Sequence, residues 1–222
     1  MDIADLTDSR DRVVQRALIH VPFDGWSMKT LRHACDDEGL GAGAADRLFP
    51  GGVVEALEHF SDFADRQMTA DMEADDLTGL HMPARLKRAI QLRLQRWAGD
   101  RESIRRAVAM LALPQYAGAN LRMTARTVDA MWRCAGDHSA DFSWYTKRAT
   151  LAPVYSATLL YWFEDKSDDF EDTWDFLDRQ FRAVGALPAM SARVRKTLDR
   201  LPNPLRLVPR LPRAPRPRFK SL

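Results

Sequence analysis

Five histidines, His20, His33, His59, His81 and His138, are the first candidates for metal or acid–base chemistry. Carboxylate-bridged di-iron sites in helical bundles use Glu-x-x-His pairs, because residues three apart share a helix face. Three positions before these histidines stand Ala17, Thr30, Ala56, Thr78 and Ala135, so no such pair exists. The acids Glu164, Asp165, Asp168, Asp169, Glu171 and Asp172 form a second cluster. Their position in a polar turn before an amphipathic pattern reads as helix capping and solvation, since acids suit a helix N-terminus. Cys35 and Cys134 are too few for a disulfide framework and sit in apolar helical registers, so both are expected to be buried thiols in a reducing compartment. No glycine-rich phosphate loop, nucleophile elbow or Cys/His ligand pattern occurs. The expectation is a protein that is not an enzyme, with no cofactor and no metal.

Nucleic-acid binding is the next chemistry to weigh. Residues 9–65 read as four helices, with Ser27 capping the second and Gly39-Leu40-Gly41 forming the turn of a helix-turn-helix. The first helix is expected to end before Pro22. Affinity for DNA comes mainly from phosphate neutralisation by Lys and Arg. From Ala34 to Asp65 the chain offers Arg47 alone against eight acids: Asp36, Asp37, Glu38, Asp46, Glu55, Glu58, Asp62 and Asp65. The head is therefore expected to fold as a helix-turn-helix and to bind no nucleic acid. Charge is concentrated elsewhere. Of the formal +2, residues 193–222 contribute +9, from ten Lys/Arg and Asp199, which leaves −7 on the rest. An anionic partner is expected at the tail only.

The elements behind these features are all helical. The 222 residues are 45% hydrophobic and 29% charged, which suits a globular protein with a real core. No apolar run is long enough to span a bilayer, and the acidic start MDIADLTDSRD reads as neither a signal nor a transit peptide. Beyond an acidic connection at 69–83, Leu86, Ile90, Leu94 and Trp97 share one face of a helix over 82–98. Gly99 should stop it and Asp100 cap the next, which carries Ile104, Ala107, Val108 and Leu111. A further helix runs through Leu121, Val128 and Met131 to Gly136. The stretch 141–181 has an apolar first half, expected to be buried on most faces. Its second half sets Phe170, Trp174, Leu177, Phe181 and Val184 on one stripe. Gly185 and Pro188 should close the body, with a last amphipathic helix over 189–201 and a proline-rich tail beyond.

The runs DFSWYTKRATLAPVYSATL and EDKSDDFEDTWDFLDRQF within 141–181 resemble the lipid-binding accessory protein family of ubiquinone (coenzyme Q) biosynthesis. A weaker likeness, through FDGWSMKTLRHACDDEGL and RLFPGG, extends it over residues 10–185. Pro153, inside the first run, departs from a straight helix, and a kink or break is expected there. The resemblance implies an all-α, TetR-like helical bundle with an N-terminal helix-turn-helix head and a C-terminal amphipathic helix. The parts would be a head at 1–68, a lipid-binding body at 69–187 and a basic amphipathic helix with a Pro/Arg-rich tail at 188–222.

On composition alone, the apolar residues after position 82 are more commonly a packed core than a cavity. The resemblance implies a cavity for lipids and isoprenoid quinone intermediates. Its lining would be Trp97, Met110, Leu113, Leu121, Trp132, Tyr155, Leu159 and Trp162. It also implies a surface for the di-iron hydroxylase of the pathway, at Met131, Trp144, Tyr145 and Arg148; an exposed Trp-Tyr pair beside basic residues has the composition of a binding hot spot. Met190, Val194, Leu198 and Leu201, with Arg193, Arg195, Lys196 and Arg200, are expected to bind an anionic membrane surface. A homodimer is an open alternative to a monomer. The expected place of action is cytoplasmic, peripheral on the inner face of the membrane. The alternatives are a TetR-type transcriptional regulator with an apolar effector, and a scaffold with a solid core.

Overall fold

A computed structural model describes residues 3–137 and 142–198 of the chain, the side chains at 3–4, 142–143 and 186–198 excepted. Among the described residues there is no strand. The helices are α1 (Ile3–Asp24), α2 (Met28–Asp37), α3 (Ala44–Leu48), α4 (Gly52–Ala74), α5 (Met82–Arg96), α6 (Arg101–Leu111), α7 (Ala117–Cys134), α8 (Phe142–Glu164) and α9 (Glu171–Leu198). The chain divides into two compact units, Met1–Phe181 and Arg182–Leu222.

The head forms as its local signals require. Ser27 Oγ accepts a hydrogen bond from the Thr30 amide at 3.1 Å and caps α2. The chain leaves α2 at Gly39, where φ is +68°. There the Leu40 amide reaches back to the Cys35 carbonyl at 2.9 Å, a closure that puts one residue in the left-handed region and so favours glycine. α3 follows, giving the helix-turn-helix. Val13, Val14, Ala17, Leu31, Ala34, Leu48, Phe49, Leu57 and Phe60 close the core around it.

Four expectations are corrected. α1 runs through Pro22 to Asp24. Proline removes one amide, which orphans the Leu18 carbonyl four residues back; the buried Ser103 hydroxyl donates to that carbonyl at 2.8 Å. α8 is likewise unbroken at Pro153, whose side is exposed. α9 continues through Gly185 and Pro188, since one missing hydrogen bond does not end a helix of this length. A 3-10 turn at Ala98–Asp100 joins α5 to α6, and Asp100 makes no side-chain cap.

The core does not stop at the head. Trp97, Ala107, Leu111, Ala119 and Met123 belong to the same hydrophobic cluster as the head residues, and α4 runs through the boundary expected at residue 68. α4 packs on α5 and α7, α7 packs on α8, and α6 touches both α7 and α8. Short turns at 98–100 and 114–116 join α5 to α6 and α6 to α7.

Candidate functional site: a cavity with a polar floor

Helices α4 to α8 enclose a cavity of about 90 Å³. Its apolar wall is Leu57 and Phe60 from α4, Ile104, Ala107, Val108 and Leu111 from α6, Met123 from α7 and Leu159 from α8. Ser61, Arg93, Thr127 and Tyr155 supply the polar atoms. Val108, Asn120, Thr124 and Leu159 are half-buried and form the mouth. Most small-molecule sites share this make-up, an apolar wall with a few convergent polar groups.

Behind the polar floor Arg93 enters a buried ion pair with Asp65, which does not itself line the cavity. Arg93 Nε and Nη2 approach Asp65 Oδ1 at 3.0 and 2.9 Å, and both residues are nearly inaccessible, at 9% and 5% exposure. The Thr127 hydroxyl lies 2.9 and 3.0 Å from the two Asp65 oxygens. Arg93 Nη2 also points at the Ser61 carbonyl at 3.4 Å. Burial pushes the Asp65 carboxyl upward, while Arg93 and Thr127 pull it back. Burial likewise pushes the Tyr155 hydroxyl above its usual value, so it remains a hydrogen-bond donor. The Arg93 guanidinium carbon sits 5.8 Å from the centre of the Tyr155 ring.

The residues expected to line a lipid cavity are only partly brought together. Tyr155 and Leu159 line it. Trp97 instead packs edge-on to Phe60 and Phe63, with ring centres 5.0 and 5.8 Å away. Met110 packs against the head core, and Leu113 and Leu121 are exposed, Leu121 at 72%. Trp132 is half-buried with Lys147 Nζ 5.4 Å from its ring centre. Trp162 is fully buried against Phe163 and Phe170, beside Arg101. The expected lining is thus gathered only in part, because the large indoles find aromatic partners outside the cavity.

Of the expected partner patch, Tyr145 is 67% exposed and Trp144 half-buried, with ring centres 4.8 Å apart. Met131 and Arg148 are buried beneath. Arg148 lies 4.1 Å over the Trp144 ring and binds Asp129 at 2.6 Å and Asp137 at 3.4 Å. Lys147 Nζ reaches Asp137 at 2.6 Å. The cations beside the aromatic pair are therefore tied to acids of the same chain, and the free surface is the Tyr145 ring. Met190, Arg193, Val194, Arg195, Lys196 and Leu198 stand on the helical backbone of α9. Their side chains lie outside the described residues, as do Arg200 and Leu201 altogether.

Sequence reasoning missed Asp65, Arg93, Ser61 and Thr127. A signal was present. Asp65 stands in register with Leu57, Ala64 and Met68, and Arg93 with Leu86, Ala89, Ile90 and Trp97. Opposite charges inside the apolar stripes of two neighbouring helices mark a buried pair.

The helices superpose on a crystal structure titled as a TetR transcriptional regulator from Nitrosomonas europaea, with a TM-score of 0.62 over 79% of this chain and 97% of that one. Sequence identity is 19%, so the likeness is one of fold: this is an all-α protein of the TetR-like architecture. The sequence relatives lie elsewhere. A COQ9 family profile matches residues 117–188. The rat ubiquinone biosynthesis protein COQ9, mitochondrial, is 32% identical over 197 residues, covering 86% of this chain and 63% of that protein. The Xenopus tropicalis protein of the same name is 34% identical over 178 residues, 77% and 56% of the two chains. The Schizosaccharomyces pombe protein is 29% identical over 190 residues, 84% and 74%. The chain is a relative of the COQ9 proteins, and it spans less than two thirds of the length of the rat and frog relatives.

Proposed function

We propose that this chain is a non-enzymatic lipid-binding protein of ubiquinone biosynthesis. It takes an isoprenoid quinone intermediate from a membrane surface and presents it to the di-iron hydroxylase of the pathway. The observation that carries this reading is similarity to COQ9 proteins across 86% of the chain, with a fold in which such a role can be built. The cavity of α4 to α8 supports it chemically. Burial of apolar surface yields about 25 cal/mol per Å², so a prenyl chain needs no covalent step to be held. The most exposed element of the patch, the Tyr145 ring, is free to meet a protein partner. The division into a head at 1–68, a body at 69–187 and a membrane-binding tail at 188–222 follows the same reading, with action on the inner, cytoplasmic face of the membrane and a homodimer as one assembly.

The charge of the head speaks against a DNA-binding regulator. In the candidate recognition helix α3, Arg47 donates to the Ala42 carbonyl at 3.0 Å, and the nearby Arg32 is paired with Asp46 at 3.3 Å, so both cations are engaged within the chain rather than held out to a phosphate. The test is reconstitution with the purified hydroxylase and its prenylated quinone substrate held in liposomes. Added chain should accelerate turnover, and the Tyr145→Ala variant should not. No acceleration by the wild-type chain, with the hydroxylase active on a soluble substrate analogue, would overturn the reading.

A further inference from the structure

Two hydrogen-bond donors open onto the cavity and have no protein acceptor of their own among the described residues. Tyr155 is only 6% exposed and lines the cavity, yet its hydroxyl makes no hydrogen bond among the described residues. Arg93 Nε and Nη2 are engaged by Asp65, Ser61 and Thr127, while its Nη1 has no partner among those residues. Among the described residues the fully inaccessible side-chain donors without a partner lie elsewhere, on Arg10, Trp97, Arg126, Trp132 and Trp162, so these two reach the cavity's own space, where a guest can meet them. Here two unpartnered donors face the same cavity, beside each other, with the guanidinium carbon 5.8 Å from the phenol ring centre. A donor pair at the blind end of an apolar cavity is the complement of an acceptor oxygen carried by an apolar body.

The charge of the floor narrows the class of oxygen. Arg93 is already balanced by Asp65, and the neighbouring Arg126 lies 3.8 Å from Asp62 and 3.9 Å from Asp65. Arg66 holds Asp62 at 3.2 Å and Asp11 at 2.7 Å, so three acids and three guanidinium groups leave no net positive charge for an anion. A carboxylate entering this cavity would be a buried charge without a counter-ion, which is costly. A neutral carbonyl incurs no such cost. We infer that Tyr155 and Arg93 form a subsite for a neutral carbonyl oxygen, such as that of a quinone ring, with the apolar remainder of the ligand leaving past Val108 and Leu159. This deepens the lipid-binding reading and rests on it. The resting cavity of about 90 Å³ is below the ~300 to 1,000 Å³ usual for small-molecule sites, so the side chains around it must yield to a prenylated ligand.

The test uses the full chain, titrated calorimetrically with three probes. They are a short-chain prenylated benzoquinone, the matched prenylated arene without oxygens, and a fatty acid of the same length. The quinone should bind the wild type more than about fivefold tighter than the arene, since about fivefold is the worth of one net hydrogen bond. Tyr155→Phe should reduce that preference by about fivefold, leaving what Arg93 Nη1 supplies. It should also melt at nearly the same temperature, since the hydroxyl it deletes holds no protein group among the described residues. Equal wild-type affinities for quinone and arene, or a preference undiminished in Tyr155→Phe, would overturn the subsite while leaving lipid binding intact. A fatty acid bound more tightly than the quinone and weakened in Tyr155→Phe would overturn the neutral-carbonyl assignment. Failure of the wild type to bind quinone and arene alike would overturn both readings.

Discussion

Asp65→Ala should be among the most destabilising single substitutions in this protein. It removes the counter-ion of a guanidinium that is 9% exposed, and with it the acceptor of the Thr127 hydroxyl at 2.9 Å. A hydrogen bond to a charged group contributes about 1.5 to 3 kcal/mol. Leaving a buried charge without its partner costs about 3 to 5 kcal/mol in all. The higher part of that range applies here, because the remaining contacts of Arg93 are long, 3.4 Å to the Ser61 carbonyl and 3.4 Å to Thr127. Such a loss is a large fraction of the ~5 to 15 kcal/mol typical of a folded domain. In urea denaturation followed by circular dichroism, the variant should lose about 4 kcal/mol with an unchanged slope. The pair as a whole should be worth far less than either half. Replacing a buried ion pair with apolar residues is often neutral or stabilising, so Asp65→Ala combined with Arg93→Met should recover most of the loss. A single variant costing less than about 1 kcal/mol, or a double variant no better than the single, would refute the buried-pair account.

Three further outcomes follow from the same structure. Tyr145→Ala removes an exposed ring and should weaken hydroxylase binding by about 2 kcal/mol, read by surface plasmon resonance, with melting temperature nearly unchanged; unchanged affinity in a folded variant would count against the patch. Burial lowers the pKa of His59 from 6.5, against the raising effect of its 2.7 Å contact with Asp11. The unfolded chain then binds the proton more readily than the folded one, so this stability is fully present above pH 6.5 and lost as pH falls through the folded value. His59→Gln should flatten that acid limb of the stability curve, and an unaltered limb would show another group responsible. Truncation after Ala189 should abolish pelleting with anionic vesicles, and binding by the full chain should fall as salt rises; equal pelleting of both proteins would place the membrane contact elsewhere.

Much of the fold was legible because its signals are local. Ser27, Gly39 and the 3.6-residue stripes of α4, α5 and α7 each specify a cap, a turn or a face within a few residues. Proline was misread because its cost depends on what satisfies the carbonyl it orphans. At Pro22 that partner is Ser103, 85 residues from Leu18, and no local pattern announces it. The cavity was misread for a related reason. Apolar periodicity places Trp97 and Trp162 on inward faces without saying which neighbours those faces meet, and both indoles went to aromatic partners away from the cavity. The patch showed the converse. Lys147 and Arg148 look like surface cations in sequence, but Asp129 and Asp137 across the α7–α8 turn claim them. The buried pair of Asp65 and Arg93 could have been found, since each breaks an apolar stripe at a position that cannot face water.

The central claim is that this protein carries a lipid, and the direct measurement is mass spectrometry of organic extracts of the purified chain beside a buffer-matched control protein. The account predicts a polyprenylated quinone or phenol, enriched over bulk phospholipid and depleted in a Leu159→Trp variant whose side chain fills the cavity mouth. An extract indistinguishable from the control, from protein shown to be folded, would contradict it.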